Sequence, residues 1–370
     1  MKYIHELEGL RGIMALWVVL GHLLAALSPL FGSTPNNLYN SHPVQVFIIL
    51  SGFVIFSLLD RGCKSYSRYI IGRAFRILPT YWVVLLISIV SLPFTAEILR
   101  SSPHGIATDG RIQIIEIAQN NLIYHILAHI PLLQGVLPTT VLPYAALTLI
   151  GQAWSLTVEW QFYLVAPLLF LMLTSLGRVS AHIATISIAA ACWVVSSYME
   201  SGFLGNNLPM FCAGFLSYFS YKHTLPRLSQ QQLTSAAALS IAFTLVFLRE
   251  FSAPLIIWII TLFGIASTKS TGSSNIITSI LSTSAATYLG RISYPLYMIH
   301  MQVLFALMWL TNTLELPMSA RIIAIPTFGI VASIGAADIL HRIIEAPVHK
   351  LGRWLSNSPP TFKKNRLDAA

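Results

Sequence analysis

The sequence predicts an all-α integral membrane protein of about ten transmembrane helices with both termini cytoplasmic, and three observations predict it. First, 55% of the 370 residues are hydrophobic and only 9% are charged, with a mean hydropathy of +0.70. A soluble domain of this length has no interior large enough for so many apolar groups. Second, the apolar residues gather into runs close to the roughly 20 needed to cross a bilayer. Third, with a cytoplasmic N-terminus and ten spans, eighteen of the twenty-two Lys and Arg fall inside and only Arg100, Arg111, Arg249 and Arg321 outside. That is a strong positive-inside bias. The opposite orientation would carry Arg61, Lys64, Arg68, Arg73 and Arg76 across the membrane. The net charge of +9 therefore reflects topology and attraction to anionic membrane lipid, and calls for no nucleic acid.

The spans are expected at 10–30, 43–59, 79–96, 153–174, 182–199, 206–221, 233–249, 253–268, 289–311 and 321–343. The first lacks a basic start and a small-residue cleavage site, so it reads as an uncleaved signal-anchor. The second is interrupted by Ser51-Gly52-Phe53, and the third follows the basic stretch 61–76. Segment 97–152 contains no span; its amphipathic stretch Ile112 to Leu133, carrying Glu116, Asn120 and Asn121, is expected to lie on the interface or plug a cavity. The fourth runs inward from Trp154. The sixth holds Pro209 and Gly214 and is short. Residues 269–288 are rich in Ser and Thr and read as a loop leading into the ninth. Short spans must be tilted, re-entrant or extended by their flanks. Residues 1–350 thus form one membrane domain, followed by a basic cytoplasmic tail, 351–370. Cys63, Cys192 and Cys212 are scattered packing residues with no disulfide framework, and no metal-ligand spacing is present. No internal repeat is visible, and nothing in the sequence reports the oligomeric state.

Within the first span, Arg11 and His22 stand at the ends of an Arg-x10-His pattern. Eleven helical steps separate them by about 16 Å along the axis. One side chain then lies near a membrane face and the other near mid-bilayer, where ionisable groups are costly and mark a pathway or a reaction site. The expected topology gives three more polar features a similar middle-to-outer depth: Ser51-Gly52 in span two, Glu159 in span four and His300 in span nine. Asp338 is also buried, without an evident role. Arg342 and Glu345 read as a structural pair at the inner end of span ten.

These stretches carry a resemblance to a known family. Leu10-Arg11-Gly12 with His22, Phe47 to Phe53, Arg73-Ala-Phe-Arg76-Ile-Leu-Pro79-Thr-Tyr81, Trp154-Ser155-Leu156-Thr-Val-Glu159 with Phe162-Tyr163, Ser293-Tyr294-Pro-Leu-Tyr297-Met-Ile-His300 and Ile344-Glu345-Ala-Pro347 occur in order over nearly the whole chain. The chain resembles the acyltransferase 3 family of membrane O-acyltransferases. The resemblance implies a multi-pass enzyme of the cell membrane, here a bacterial inner membrane, in the stand-alone form. It implies transfer of an acyl group, often acetyl, from an acyl-coenzyme A co-substrate (acetyl-CoA first) to a hydroxyl acceptor, typically a glycan.

The residues support that chemistry on their own terms. A hydroxyl attacking a thioester needs a base near neutral pH, and His22 is the first candidate. It takes the hydroxyl proton for direct attack or carries the acyl group itself. Glu159 is expected to orient it and stabilise the imidazolium; the plainer reading of Glu159 is a carboxylate at a helix start. Arg11, Arg73 and Arg76 suit the donor's phosphates, which guanidinium groups grip with paired hydrogen bonds. Ser51, Trp154, Ser155, Tyr163, Tyr297 and His300 are candidate substrate-contacting or supporting groups. Ser51 lacks the tight elbow of a nucleophile, and its Ser-Gly pair lets helices approach or a thin acyl-pantetheine arm pass. The competing expectation is a secondary transporter using His22 and Glu159 as a proton relay, although paired broken helices are missing.

Overall fold

The computed structural model describes residues 4–27, 36–62, 65–103, 108–174 and 179–357, and among these every regular element is helical. Cys63 and most of the basic tail lie outside the described residues. In chain order the helices are α1 (His5–Ala25), α2 (Asn36–Asp60), α3 (Tyr66–Ser101), α4 (Thr108–Asn120), α5 (Leu122–His129), α6 (Trp154–Thr174), α7 (Val179–Ser196), α8 (Leu208–Phe219), α9 (Gln230–Phe247), α10 (Ser252–Thr271), α11 (Ile276–Leu281), α12 (Ser284–Arg291), α13 (Ser293–Thr313), α14 (Met318–Leu340) and α15 (Ala346–Asn357). Eight helical stretches among the described residues are long and apolar enough to span a membrane, those built on α1, α2, α3, α6, α7, α10, α13 and α14. The expected spans 206–221 and 233–249 coincide with α8 and α9, which are not among the eight. The protein is an all-α integral membrane protein whose lipid-facing surface is apolar: α7 exposes Ile183, Ile186, Trp193 and Val194 and buries none of its residues.

Helix α2 lies at the centre, packed against α1, α6, α8 and α10. It runs unbroken through Ser51-Gly52-Phe53, correcting the expected interruption. A single glycine inside a helix costs only about 1 kcal/mol, which close packing offsets. Gly52 faces Gly214 of α8, and a Cβ at 214 would collide with the Ile49 carbonyl. Phe53 sits edge-on to Tyr218, Tyr221 and Trp258, and Phe56 stacks on Phe215 and Phe162. These aromatic pairs lock α2 to α6, α8 and α10. At its end, Asp60 is held by Lys222 Nζ at 2.7 and 2.9 Å.

Two helices are far longer than a bilayer requires. The 36 residues of α3 extend about 54 Å, against about 30 Å of hydrocarbon. The run from Met318 to Ser356, 39 residues through α14, a π-turn at His341–Glu345 and α15, is longer still. The two pack together at the end where the basic residues gather: Gly352 lies flat on Phe75, leaving no room for a Cβ.

The segment between α3 and α6 is the element least like its expectation from topology. Its Ile112–Leu133 stretch lies against the bundle as an amphipathic surface, exposing Ile123, Tyr124, Leu127 and Ile130 and burying Ala118, His125 and His129. His129 is fully buried, with Nε2–H donating to the Ala145 carbonyl at 3.2 Å and Nδ1 accepting from Tyr81 at 2.9 Å. Thr148 Oγ1 lies 2.9 Å from His125 Nδ1. Just before α6, Gln152 Nε2 donates to the Met298 carbonyl at 2.7 Å, five residues into α13. Helix α6 therefore starts inside the bundle, and Glu159 sits deeper toward the basic end than a span beginning at the far face would put it. Residues 269–288 are also not a loop: α11 and α12 form there because Asn275 and Thr283 cap their first turns. The expected Arg342–Glu345 pair is replaced by two i,i+4 pairs, Arg342–Asp338 at 2.7 Å and His341–Glu345 at 2.6 Å, which gives Asp338 its role.

Two predictions follow from this packing. Gly214→Ala forces α2 and α8 apart and destabilises the detergent-solubilised protein by about 1–3 kcal/mol. Gly110→Ala, with open space around it, leaves the melting midpoint unchanged or slightly raised. Burial pushes the His129 imidazole down to about 3, whereas an unfolded histidine titrates near 6.5. The unfolded chain thus binds a proton between pH 6.5 and 3 that the folded chain refuses, and stability falls as pH drops through that window. The stability advantage of wild type over His129→Gln should shrink by about 1–2 kcal/mol between pH 7 and 5; an advantage that stays constant would contradict the assignment.

Candidate functional site

A cavity of about 680 Å³ opens at the basic end between α1, α2, α3, α6, α13 and the π-turn–α15 segment. Six arginines line it, Arg11, Arg61, Arg73, Arg76, Arg291 and Arg353, against three glutamates, Glu8, Glu159 and Glu345. The cavity is therefore strongly cationic. Its inner wall is organised by Glu159, whose Oε1 accepts from Ser51 Oγ at 2.9 Å and from the Tyr163 hydroxyl. Residues 159 and 163 are one turn apart on α6, so the tyrosine folds back onto the carboxylate, and Arg73 lies over the Tyr163 ring at 5.8 Å. Glu159 attracts both Arg11 and Arg73, while Arg76 repels both. The Nε of Arg73 is buried without an acceptor, a donor position a bound anion would satisfy.

The far end of the cavity is closed by Phe47, Ser155 and Tyr297. The rings of Phe47 and Tyr297 meet edge to face at 6.1 Å. The Tyr297 hydroxyl donates to the Gln152 carbonyl at 2.7 Å and lies 2.7 Å from Ser155 Oγ. Beyond this layer stand His22 and His300, their ring centroids 5.1 Å apart. His300 Nδ1 is 2.8 Å from the Tyr297 carbonyl. A carbonyl only accepts, so Nδ1 carries the hydrogen and Nε2 presents a lone pair in the neutral ring. His300 Nε2 and His22 Nδ1 are both buried without a partner. Asn40 lies against Gly21, next to His22, and Arg111 of α4 is within electrostatic reach of His22.

The four polar features expected at one depth thus divide into two pairs. Ser51 and Glu159 belong to the basic cavity; His22 and His300 do not line it. Glu159 does not meet His22 as expected, because α6 begins within the bundle and its carboxylate is engaged by Ser51 and Tyr163. Arg11, Arg73 and Arg76 line the same cavity, and Ser155 meets Tyr297 there. Trp154 packs half-buried against the core and does not reach the cavity. The sequence reading missed Arg61, Arg291, His349 and Arg353 on the cavity, and Arg111 and Asn40 near His22. The i,i+4 spacing of His349 and Arg353 on a short polar helix was the available signal.

Comparison with known proteins agrees with these motifs. The acyltransferase 3 family model, described as an acyltransferase domain, matches residues 4–342. The chain belongs to the acyltransferase 3 family. Two relatives from Staphylococcus aureus, strains COL and MRSA252, each bear the name "Putative O-acetyltransferase". Each is 26% identical over 98% of this chain and 60% of its own length. The chain spans about three fifths of the length of the curated relatives it matches. No solved structure matches it. Family membership favours group transfer over the proton-relay transporter, which also needs His22 and Glu159 to exchange a proton across the Tyr297 layer. Among the described residues no His, Cys, Asp and Glu cluster of metal-binding form occurs.

Proposed function

We propose that the protein transfers an acyl group, acetyl in the first instance, from acyl-coenzyme A to a hydroxyl of an envelope glycan or similar acceptor. The observation that carries this reading is the cationic cavity ending at Tyr297, with an imidazole pair directly behind it. The donor's phosphates are held by Arg11, Arg73 and Arg76, whose forked guanidinium groups match phosphate oxygens. With the basic end cytoplasmic, as the charge bias implies, the donor enters from inside and the acceptor arrives from the opposite side of a bacterial inner membrane.

In this reading the thioester passes Ser51 and reaches the Phe47–Tyr297 layer. His22 removes the acceptor hydroxyl proton as the oxygen attacks the thioester carbonyl. The tetrahedral intermediate collapses with loss of the coenzyme A thiolate, which takes up the proton from His22. Glu159 supplies countercharge to the arginines, and His300 takes over the steering of His22 once assigned to that carboxylate. Its tautomer, fixed by the Tyr297 carbonyl, presents a lone pair able to accept a His22 N–H and to share the proton that His22 gains.

The test is release of free thiol from acetyl-CoA by purified protein with crude envelope glycan. His22→Ala should lose about 10²–10⁴-fold in transfer rate while still binding coenzyme A. His300→Ala should lower kcat with donor KM unchanged. Near-normal transfer by His22→Ala would remove the base assignment, and thiol release absent from wild type across glycan and small hydroxyl acceptors would overturn the reading.

A further inference from the structure

The arginines of the cavity stand in two tiers. Arg11, Arg73 and Arg76 are half-buried within it, whereas Arg61, Arg291 and Arg353 are exposed at its mouth. The inner tier is shared with Glu159. At the mouth, Glu345 is already held by His341 at 2.6 Å. Arg353 is carried on α15, one turn beyond His349, which also lines the cavity and stands among Arg73, Arg76 and Arg353, with Glu345 as the carboxylate acting on it. Helix α15 is not a loose tail. Gly352 seats it on Phe75, and Gly72 faces Ser356. Both α3 contacts lie within four residues of Arg73 and Arg76, so α15 extends the cationic wall of the inner tier outward.

We propose that α15 forms a second anion subsite, in which Arg353 and His349 bind the 3′-phosphate on the adenosine end of the donor. The inference rests on the acyl-coenzyme A reading above and adds the residues that recognise the nucleotide. Coenzyme A is a long molecule with its thioester at one end and the 3′-phosphoadenosine at the other. A thioester delivered to Tyr297 leaves the diphosphate along the cavity and the 3′-phosphate at the mouth. A guanidinium that points there, next to a half-buried imidazole, meets a dianionic phosphate with charge-assisted hydrogen bonds.

The experiment is equilibrium binding of acetyl-CoA and its 3′-dephospho analogue to full-length wild type, Arg353→Ala, Arg353→Lys and His349→Ala in detergent. Wild type should prefer acetyl-CoA by about tenfold or more. Arg353→Ala should bind the two alike, at the affinity wild type has for the dephospho form, and Arg353→Lys should recover part of the preference. His349→Ala should lose part of it. Because Arg353 is exposed, melting midpoints should match wild type. A wild type that binds both forms equally, or an Arg353→Ala that weakens both equally, would overturn the subsite and leave the donor assignment standing. A wild type that binds neither would overturn both.

Discussion

The structure depends on the Glu159 carboxylate. Guanidinium groups drawn into an apolar bundle need countercharge and acceptors, since an uncompensated buried charge costs several kcal/mol. Glu159 supplies the countercharge from the middle of four helices. Ser51 brings α2 to it, Tyr163 brings the next turn of α6, and its charge reaches Arg11 on α1 and Arg73 on α3. A carboxylate in this place converts three repelling cations into a wall that tolerates an empty cavity and welcomes a polyanion. The aromatic packing of Phe53 and Phe56 around α2 and the Gly52–Gly214 contact hold Ser51 in register with that carboxylate.

From this follows a separation of two chemical environments. On one side of Phe47 and Tyr297 the lining is cationic and opens at the basic end. On the other, two neutral-capable imidazoles share a buried space, each with an unpartnered nitrogen. Buried polar atoms without partners are uncommon and costly, and the two imidazoles that carry them have ring centroids 5.1 Å apart. Tyr297 joins the environments: its ring touches Phe47 and His300, its hydroxyl ties to Ser155 and Gln152, and its carbonyl fixes the His300 tautomer.

The helical membrane class, the first span and every residue of the Arg11–Arg73–Arg76 group were legible in the sequence, because apolar run length and charge asymmetry act locally. Depth was not. Glu159 was placed with His22 because α6 was assumed to start at a membrane face; its start inside the bundle is set by the Gln152–Met298 and Tyr81–His129 hydrogen bonds, which link residues 146 and 48 positions apart. His22 and His300 were each visible, but their pairing is tertiary. Asn275 and Thr283 did announce helix starts in the Ser/Thr-rich stretch, and composition masked them. Arg353 and His349 escaped notice because α15 gains its meaning only when docked on α3.

The central claim is that the donor occupies the basic cavity and ends at Tyr297, short of the side of His22 that faces Asn40. Its most direct measurement is protection of single cysteines from a maleimide by coenzyme A, in a background without Cys63, Cys192 and Cys212. Ser57→Cys lines the cavity and Asn40→Cys lies beyond the layer. The account predicts that coenzyme A slows labelling at position 57 and leaves position 40 unchanged. Protection at position 40 with none at 57 would contradict it.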